Sequence, residues 1–467
     1  MDLSPEDISD DYYMLAQVYL SLDQLETARE LGEKCLELRR EIDKQNSREL
    51  LTVYGLLGPI YHRIGDVDKA EEYFNKGQEI INSNPESDRI TVLTLTGDQA
   101  SFYRDRGYAD DYPKAEQLYK TCISICSEVY PENHPETAEI IENYSVLKQK
   151  EGAYEEALNL ALKAQTIKKA ILPQDHPDII ESYINIGYVY YLLDQYTDSL
   201  NAYKQAEDML VRCKEENTSR MAALYNNKAL TVKARGDYEG SLALYKKSEE
   251  IRLCYLPEDH ELVQSIRNNI AHTLTEVGRF EEAAEYFEEI IRVYKRSVSG
   301  NEVESEFLAT VYNNAAEAYR GKGDYDKSYD YNKKSLKIKK SVFGENSVDY
   351  AIGLNTLAII LYYKEKYGEA EKAVTESLRI YQDLLPQNHH LIATAYFNLA
   401  LIEDAENRDN EALQHYHNAL KMDSELGNVD NIILTAEYIA DIYQRNEMFE
   451  DEKIYRDYIE ELLEKYG

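Results

Sequence analysis

The chain has 467 residues, with 52 Lys and Arg against 87 Asp and Glu, a formal net charge of −35. So acidic a surface repels phosphate backbones and anionic headgroups, which argues against nucleic acid or membrane partners and favours basic ones. The longest apolar stretches, such as Tyr188–Leu193 and Ala358–Tyr363, are far too short to span a bilayer.

The first residues, Met1–Asp7, lack the basic and apolar regions of a secretory signal. The five cysteines form no disulfide framework, and Cys35 and Cys122 stand where other repeats have Ala164, Ala206 and Ala419, as small reduced core residues do. A cytoplasmic protein without cofactor is the expectation.

In chain order, a residue following a turn signal recurs at Leu25, Val67, Tyr112, Tyr154, Tyr196, Tyr238, Phe280, Tyr325, Tyr367, Asp409 and Phe449. Most steps are 42 residues; two are 45 and the last is 40. A fixed period of this size means one supersecondary unit stacked many times. The units run roughly over 8–48, 49–88, 89–135, 136–177, 178–219, 220–260, 261–303, 304–348, 349–390, 391–430 and 431–466. They form a single solenoid over 1–467, with the first and last as caps. That leaves no stretch for a separate catalytic domain.

The unit beginning at Glu258 shows the local logic. Leu262, Val263, Ile266, Ile270 and Leu274 recur at helical spacing, and Gly278 stops that helix. A second helical pattern follows through Phe280, Ala283, Ala284, Phe287, Ile290 and Ile291. Small residues recur where the two helices must approach, at Ala16, Gly58, Ser145, Gly187, Ala229 and Ala271 in first helices. In second helices they recur at Ala28, Ala70, Ala115, Ala157, Ser199 and Ser241.

A small residue late in the first helix, then Tyr, then Gly-x-Tyr and a small residue resembles the tetratricopeptide repeat. Tyr319, Gly323, Tyr325 and Ser328 carry it in one unit; Tyr190, Tyr196 and Ser199 carry it in another. The 42-residue period, the phrases Asn133-His134-Pro135 and Asp175-His176-Pro177, and the doubled asparagines are similar to the kinesin light chain type of this repeat. The resemblance implies an all-α, right-handed superhelical solenoid of about eleven helix-turn-helix repeats, and a scaffold or adaptor that binds a peptide or protein segment in its concave groove.

Asparagine returns at one phase of the first helix, at Asn143, Asn185, Asn227, Asn269, Asn314 and Asn398, with Asn226, Asn268, Asn313 and Asn355 one residue earlier. Asparagine is a mediocre helix former, so its recurrence calls for a reason. An amide offers two donors and an acceptor, which suits a peptide main chain of any sequence. The resemblance implies that these amides line the groove; the other side chains expected on that wall are mixed, with Lys150, Lys233 and Arg320 basic and Glu142, Glu276, Glu317 and Asp404 acidic. The alternative is that they bond a neighbouring helix and lock the repeats together. A second reading of function is a regulator whose superhelical pitch changes when a peptide binds.

His134, His176, His260 and His389 share one phase and lie at least 42 residues apart. Metal ligands must converge within about 2 Å of one ion, so one histidine per linker reads instead as a helix start. No Gly-rich phosphate loop, nucleophile elbow or zinc-protease helix occurs, and no enzymatic activity is expected.

Two insertions of three residues, within Arg104–Asp111 and Ser299–Glu306, are candidate contact loops. Pro59 is expected to kink or shorten the first helix of the second unit.

Overall fold

A computed structural model describes residues 4–42, 47–84, 87–108, 110–297 and 305–466. Among these residues all regular structure is helical, in 22 helices. They fall into two compact units, residues 1–237 and 238–467.

The first unit holds α1 (Pro5–Ser21), α2 (Leu25–Ile42), α3 (Ser47–Ile64), α4 (Val67–Ser83), α5 (Arg89–Arg106), α6 (Asp111–Val129), α7 (Pro135–Lys150), α8 (Tyr154–Ile171), α9 (Pro177–Leu192), α10 (Tyr196–Arg212) and α11 (Ser219–Ala234). The second holds α12 (Tyr238–Leu253), α13 (Glu261–Glu276), α14 (Phe280–Ser297), α15 (Glu306–Gly321), α16 (Tyr325–Phe343), α17 (Val348–Tyr363), α18 (Tyr367–Leu384), α19 (His390–Ala405), α20 (Asp409–Leu426), α21 (Val429–Arg445) and α22 (Phe449–Tyr466). Ten of the eleven landmark residues open a second helix; in the third unit the helix opens one residue before Tyr112.

Each turn from first to second helix passes through one left-handed residue. It is Asp23, Gly65, Gly107, Gly152, Asp194, Gly236, Gly278, Gly323, Glu365, Asn407 or Glu447, with φ between 57° and 89°. Glycine takes this conformation without strain. At the five side-chain-bearing positions the packed hairpin holds the residue there at a cost of about 1 kcal/mol.

The close approach of paired helices has a direct cause. A Cβ on Gly58 would lie 2.6 Å from the Phe74 ring, and one on Gly187 would lie 2.5 Å from Tyr203. Both rings are fully buried, so each glycine makes room for an aromatic of the second helix. Where the small residue is Ser145, its hydroxyl instead donates to the Ala157 carbonyl at 2.7 Å.

In the first unit Leu57, Phe74, Phe102, Tyr119 and Leu147 belong to one continuous core; in the second Leu357, Val374, Tyr381 and Leu399 do the same. Burying each such side chain contributes about 1.5–3 kcal/mol.

The linker histidines act as helix caps. The Nδ1 atoms of His134, His176, His260 and His389 accept the backbone N–H two residues on, at 3.1–3.3 Å. All five cysteines are free; Cys35, Cys122 and Cys126 are buried, and burial pushes the Cys122 thiol up to about 12.

Pro59 departs from expectation, because α3 runs through it and is 18 residues long. Packing of both faces of α3 holds the helix where an isolated one would break. The first insertion follows the left-handed Gly107, so the three extra residues lie between that cap and α6. The insertion read at Ser299–Glu306 lies largely outside the described residues.

Candidate functional site

Within each unit successive first helices touch one another: α1–α3, α3–α5, α5–α7 and α9–α11, then α13–α15, α15–α17 and α17–α19. Within each unit these contacts form a wall of first helices, and the repeated asparagines stand on it. Counted from the left-handed turn residue, Asn143, Asn185, Asn227, Asn269, Asn314 and Asn398 each lie nine residues earlier.

The structure brings many of these amides into contact. Asn314 Nδ2 donates to Asn268 Oδ1 at 3.2 Å, joining α15 to α13, and Asn398 Nδ2 donates to Asn355 Oδ1 at 3.1 Å, joining α19 to α17. In the first unit Asn143 Oδ1 accepts from the Arg104 guanidinium at 2.9 Å, and Asn185 Nδ2 donates to Glu142 at 3.4 Å. Asn226 bonds Asn227 within α11 at 3.0 Å. Asn313 is buried and donates to Glu317 at 3.2 Å, while its Oδ1 has no hydrogen-bond partner among the described residues. Asn269 is half-buried on α13.

The amides thus link neighbouring first helices. Each amide has two N–H groups and two lone pairs, so one bond leaves capacity for a ligand.

The basic candidates are scattered. Lys150 is exposed at the end of α7 and reaches the Arg104 carbonyl at 3.4 Å and Asp105 at 3.5 Å. Arg320 lies over the Tyr363 ring, 5.7 Å from its centroid, and Lys233 is half-buried in the last turn of α11.

One wall residue escaped the sequence pattern. Asp98 lies nine residues before Gly107, at the position the asparagines hold in later units. Counting back from Tyr112 misses it, because the three extra residues lie between; counting from the turn glycine finds it. Asp98 lines a cavity of about 500 Å³ between α1, α3 and α5. Burial pushes its carboxyl up to about 7, and Glu139 and Glu136 of α7 add to the shift. Its side chain has no hydrogen bond or ion pair among the described residues.

Among the described residues no group of three or more His, Cys, Asp or Glu is placed to hold a metal ion. None of their helices is long and apolar enough to cross a membrane.

The sequence profile of the tetratricopeptide repeat matches residues 12–83, 94–170, 148–210, 220–296 and 307–383. No curated protein matches the sequence. Among solved structures, the chain is similar in fold to the quorum sensor NprR from B. thuringiensis in its apo form. That likeness has 17% identity and a TM-score of 0.57, covering 80% of this chain and 100% of that one. It is also similar to aspartyl phosphate phosphatase F from Bacillus subtilis, at 13% identity and a TM-score of 0.50, over 82% of this chain and 96% of that one. The kinesin light chain TPR-like repeats from Podosopora anserina match at 17% identity and a TM-score of 0.38, over 44% of this chain and 96% of theirs. With the repeat profile matching well over half of its residues in helix pairs of the expected kind, the chain belongs to the tetratricopeptide repeat family.

Proposed function

We propose that the chain is a scaffold that binds an extended peptide or protein segment along the wall of its first helices. The family it belongs to is one of protein- and peptide-binding scaffolds, and its fold is generally non-enzymatic; we propose no catalytic activity. The observation that carries the reading is the recurrence of an amide or carboxylate nine residues before successive left-handed turns. Such a row offers donors and acceptors at the spacing of the repeats, and so can hold a main chain of varied sequence. The net charge of −35 supports a basic partner. Free, largely buried cysteines support a reducing, cytoplasmic setting.

The test is selection of displayed random 12-residue peptides on the full chain and on an Asn269→Ala, Asn314→Ala variant of matched circular dichroism. Clones that enrich on the wild type and fail on the variant support the groove. Clones that bind both equally contradict it.

A second reading is a regulator whose repeats shift against one another when a peptide binds. Each helix pair contacts mainly its neighbours, so small rotations can accumulate along a unit. The similarity in fold to a protein named a quorum sensor supports this reading. A fall in radius of gyration on adding a selected peptide supports it; an unchanged radius counts against it.

A further inference from the structure

We propose that the cavity between α1, α3 and α5 is a subsite for a cationic side chain, an Arg or Lys of the bound peptide. The proposal deepens the groove reading above and rests on it.

The first argument is the carboxylate. Asp98 takes the ladder position where later units carry a neutral amide, yet no cation among the described residues pairs with it. The charges that act on it are two further carboxylates, Glu139 and Glu136 of α7. A half-buried carboxylate without a partner is relieved either by taking a proton or by a counter-charge arriving from outside. Arg63 lines the same cavity, but its guanidinium is held by Asp23 at 2.7 Å and by the Leu20 carbonyl at 3.1 Å. It also lies seven residues beyond Leu56, the α3 equivalent of Asp98, or about 10 Å farther along the helix.

Pro59 sits inside α3 and has no N–H to give to the Gly55 carbonyl four residues earlier. Gly55 and Pro59 both line the cavity that Asp98 lines, so its wall carries a backbone acceptor without its helical donor. An ammonium has three N–H donors and a guanidinium five, and either can bond to a carboxylate and a carbonyl together.

Apolar walls complete the fit. Leu51, Leu56 and Leu95 line the same space and can sheathe the aliphatic stem of a long basic side chain. On α7, Asn143 accepts from Arg104 of α5, so an amide continues the row beyond α5 in the direction the peptide's main chain would run. That continuity favours a peptide side chain over a free amine.

The experiment is calorimetric titration of the full chain with three probes. They are acetyl-Leu-Arg-Leu-amide, its citrulline analogue (same shape, no charge) and L-argininamide. The wild type is expected to bind the arginine tripeptide about tenfold or more tightly than the citrulline one. Asp98→Asn, which keeps the shape and removes the carboxylate charge, is expected to fold and to lose that preference while still binding the citrulline probe. Pro59→Ala, which restores a donor to Gly55, is expected to weaken the arginine probe severalfold.

Equal binding of the two tripeptides to wild type, an unchanged preference in Asp98→Asn, or no measurable binding of either would overturn the proposal. L-argininamide binding as tightly as the tripeptide would assign the cavity to a small amine and overturn the peptide source. If the subsite fails while selected peptides still need Asn269 and Asn314, the groove reading stands without it.

Discussion

The amide of Asn314 donates to the amide of Asn268 at 3.2 Å, across the seam between α15 and α13. Forty-six residues separate them in sequence, and the same kind of bond recurs between Asn398 and Asn355. Asparagine thus joins first helices of the second unit in pairs, α13 to α15 and α17 to α19.

The seam bond gives a stability prediction. Asn268→Ala and Asn314→Ala should each destabilise the protein by about 0.5–1.5 kcal/mol. The double variant should lose less than the sum, since both changes remove one bond. Urea denaturation of the four proteins in the cycle measures this. Strict additivity would mean the bond contributes nothing in solution.

Gly187 is predicted to be intolerant of even a methyl group. A Cβ there would lie 2.5 Å from the Tyr203 ring, which is fully buried and cannot swing away. Gly187→Ala should cost about 1–3 kcal/mol, the range for overpacking a filled core. Adding Tyr203→Leu should recover part of that loss. A thermal midpoint equal to wild type in the alanine variant contradicts the packing account.

Asp98 gives a pH dependence whose sign is fixed. Its folded carboxyl titrates at about 7, above the ordinary value of 3.8. Between those values the folded state holds more protons than the unfolded one, so stability falls as pH rises through that window. Facing it are Glu136 and Glu139 from α7 and the Cys122 thiol from α6, with Arg63 of α3 at the far end of the cavity. Asp98→Asn should match wild type near pH 4 and exceed it at pH 8, by on the order of 2 kcal/mol once groove water is allowed for. A variant that is less stable than wild type at pH 8 would show that Asp98 has a partner.

The His389 cap predicts the opposite slope. His389 accepts the Leu391 N–H through Nδ1, and burial with the neighbouring His390 holds its pKa below the ordinary value. A base with a lowered folded pKa contributes stability above its unfolded pKa of about 6.5, and loses it as pH falls through the folded value. His389→Ala should cost about 1 kcal/mol at pH 8, a typical cap contribution, and less at pH 5. An equal loss at both values would mean the ring only packs.

Much of the fold was legible because it repeats. The residues that open the second helices, the small residues at the crossing and the glycines of the turns all follow one period. Two features were not legible. Pro59 signals a break, yet α3 continues, since burial on neighbouring helices outweighs one lost backbone bond. Asp98 was hidden because an insertion between the turn and α6 shifted the count, so a ladder built on Tyr112 skipped the third unit. The bonds between amides were also out of reach. A period places residues on one face, but which neighbour a side chain meets across the seam depends on helix crossing.

The most direct test of the central claim is a calorimetric titration of one selected peptide against wild type, Asn269→Ala/Asn314→Ala and a control at an exposed position of the second helix α16, Lys333→Ala. The account predicts about a tenfold or greater loss of affinity in the asparagine variant, from two lost hydrogen bonds, and none in the control. Unchanged affinity in the asparagine variant, with circular dichroism intact, would contradict it and leave these amides with only their role in joining helices.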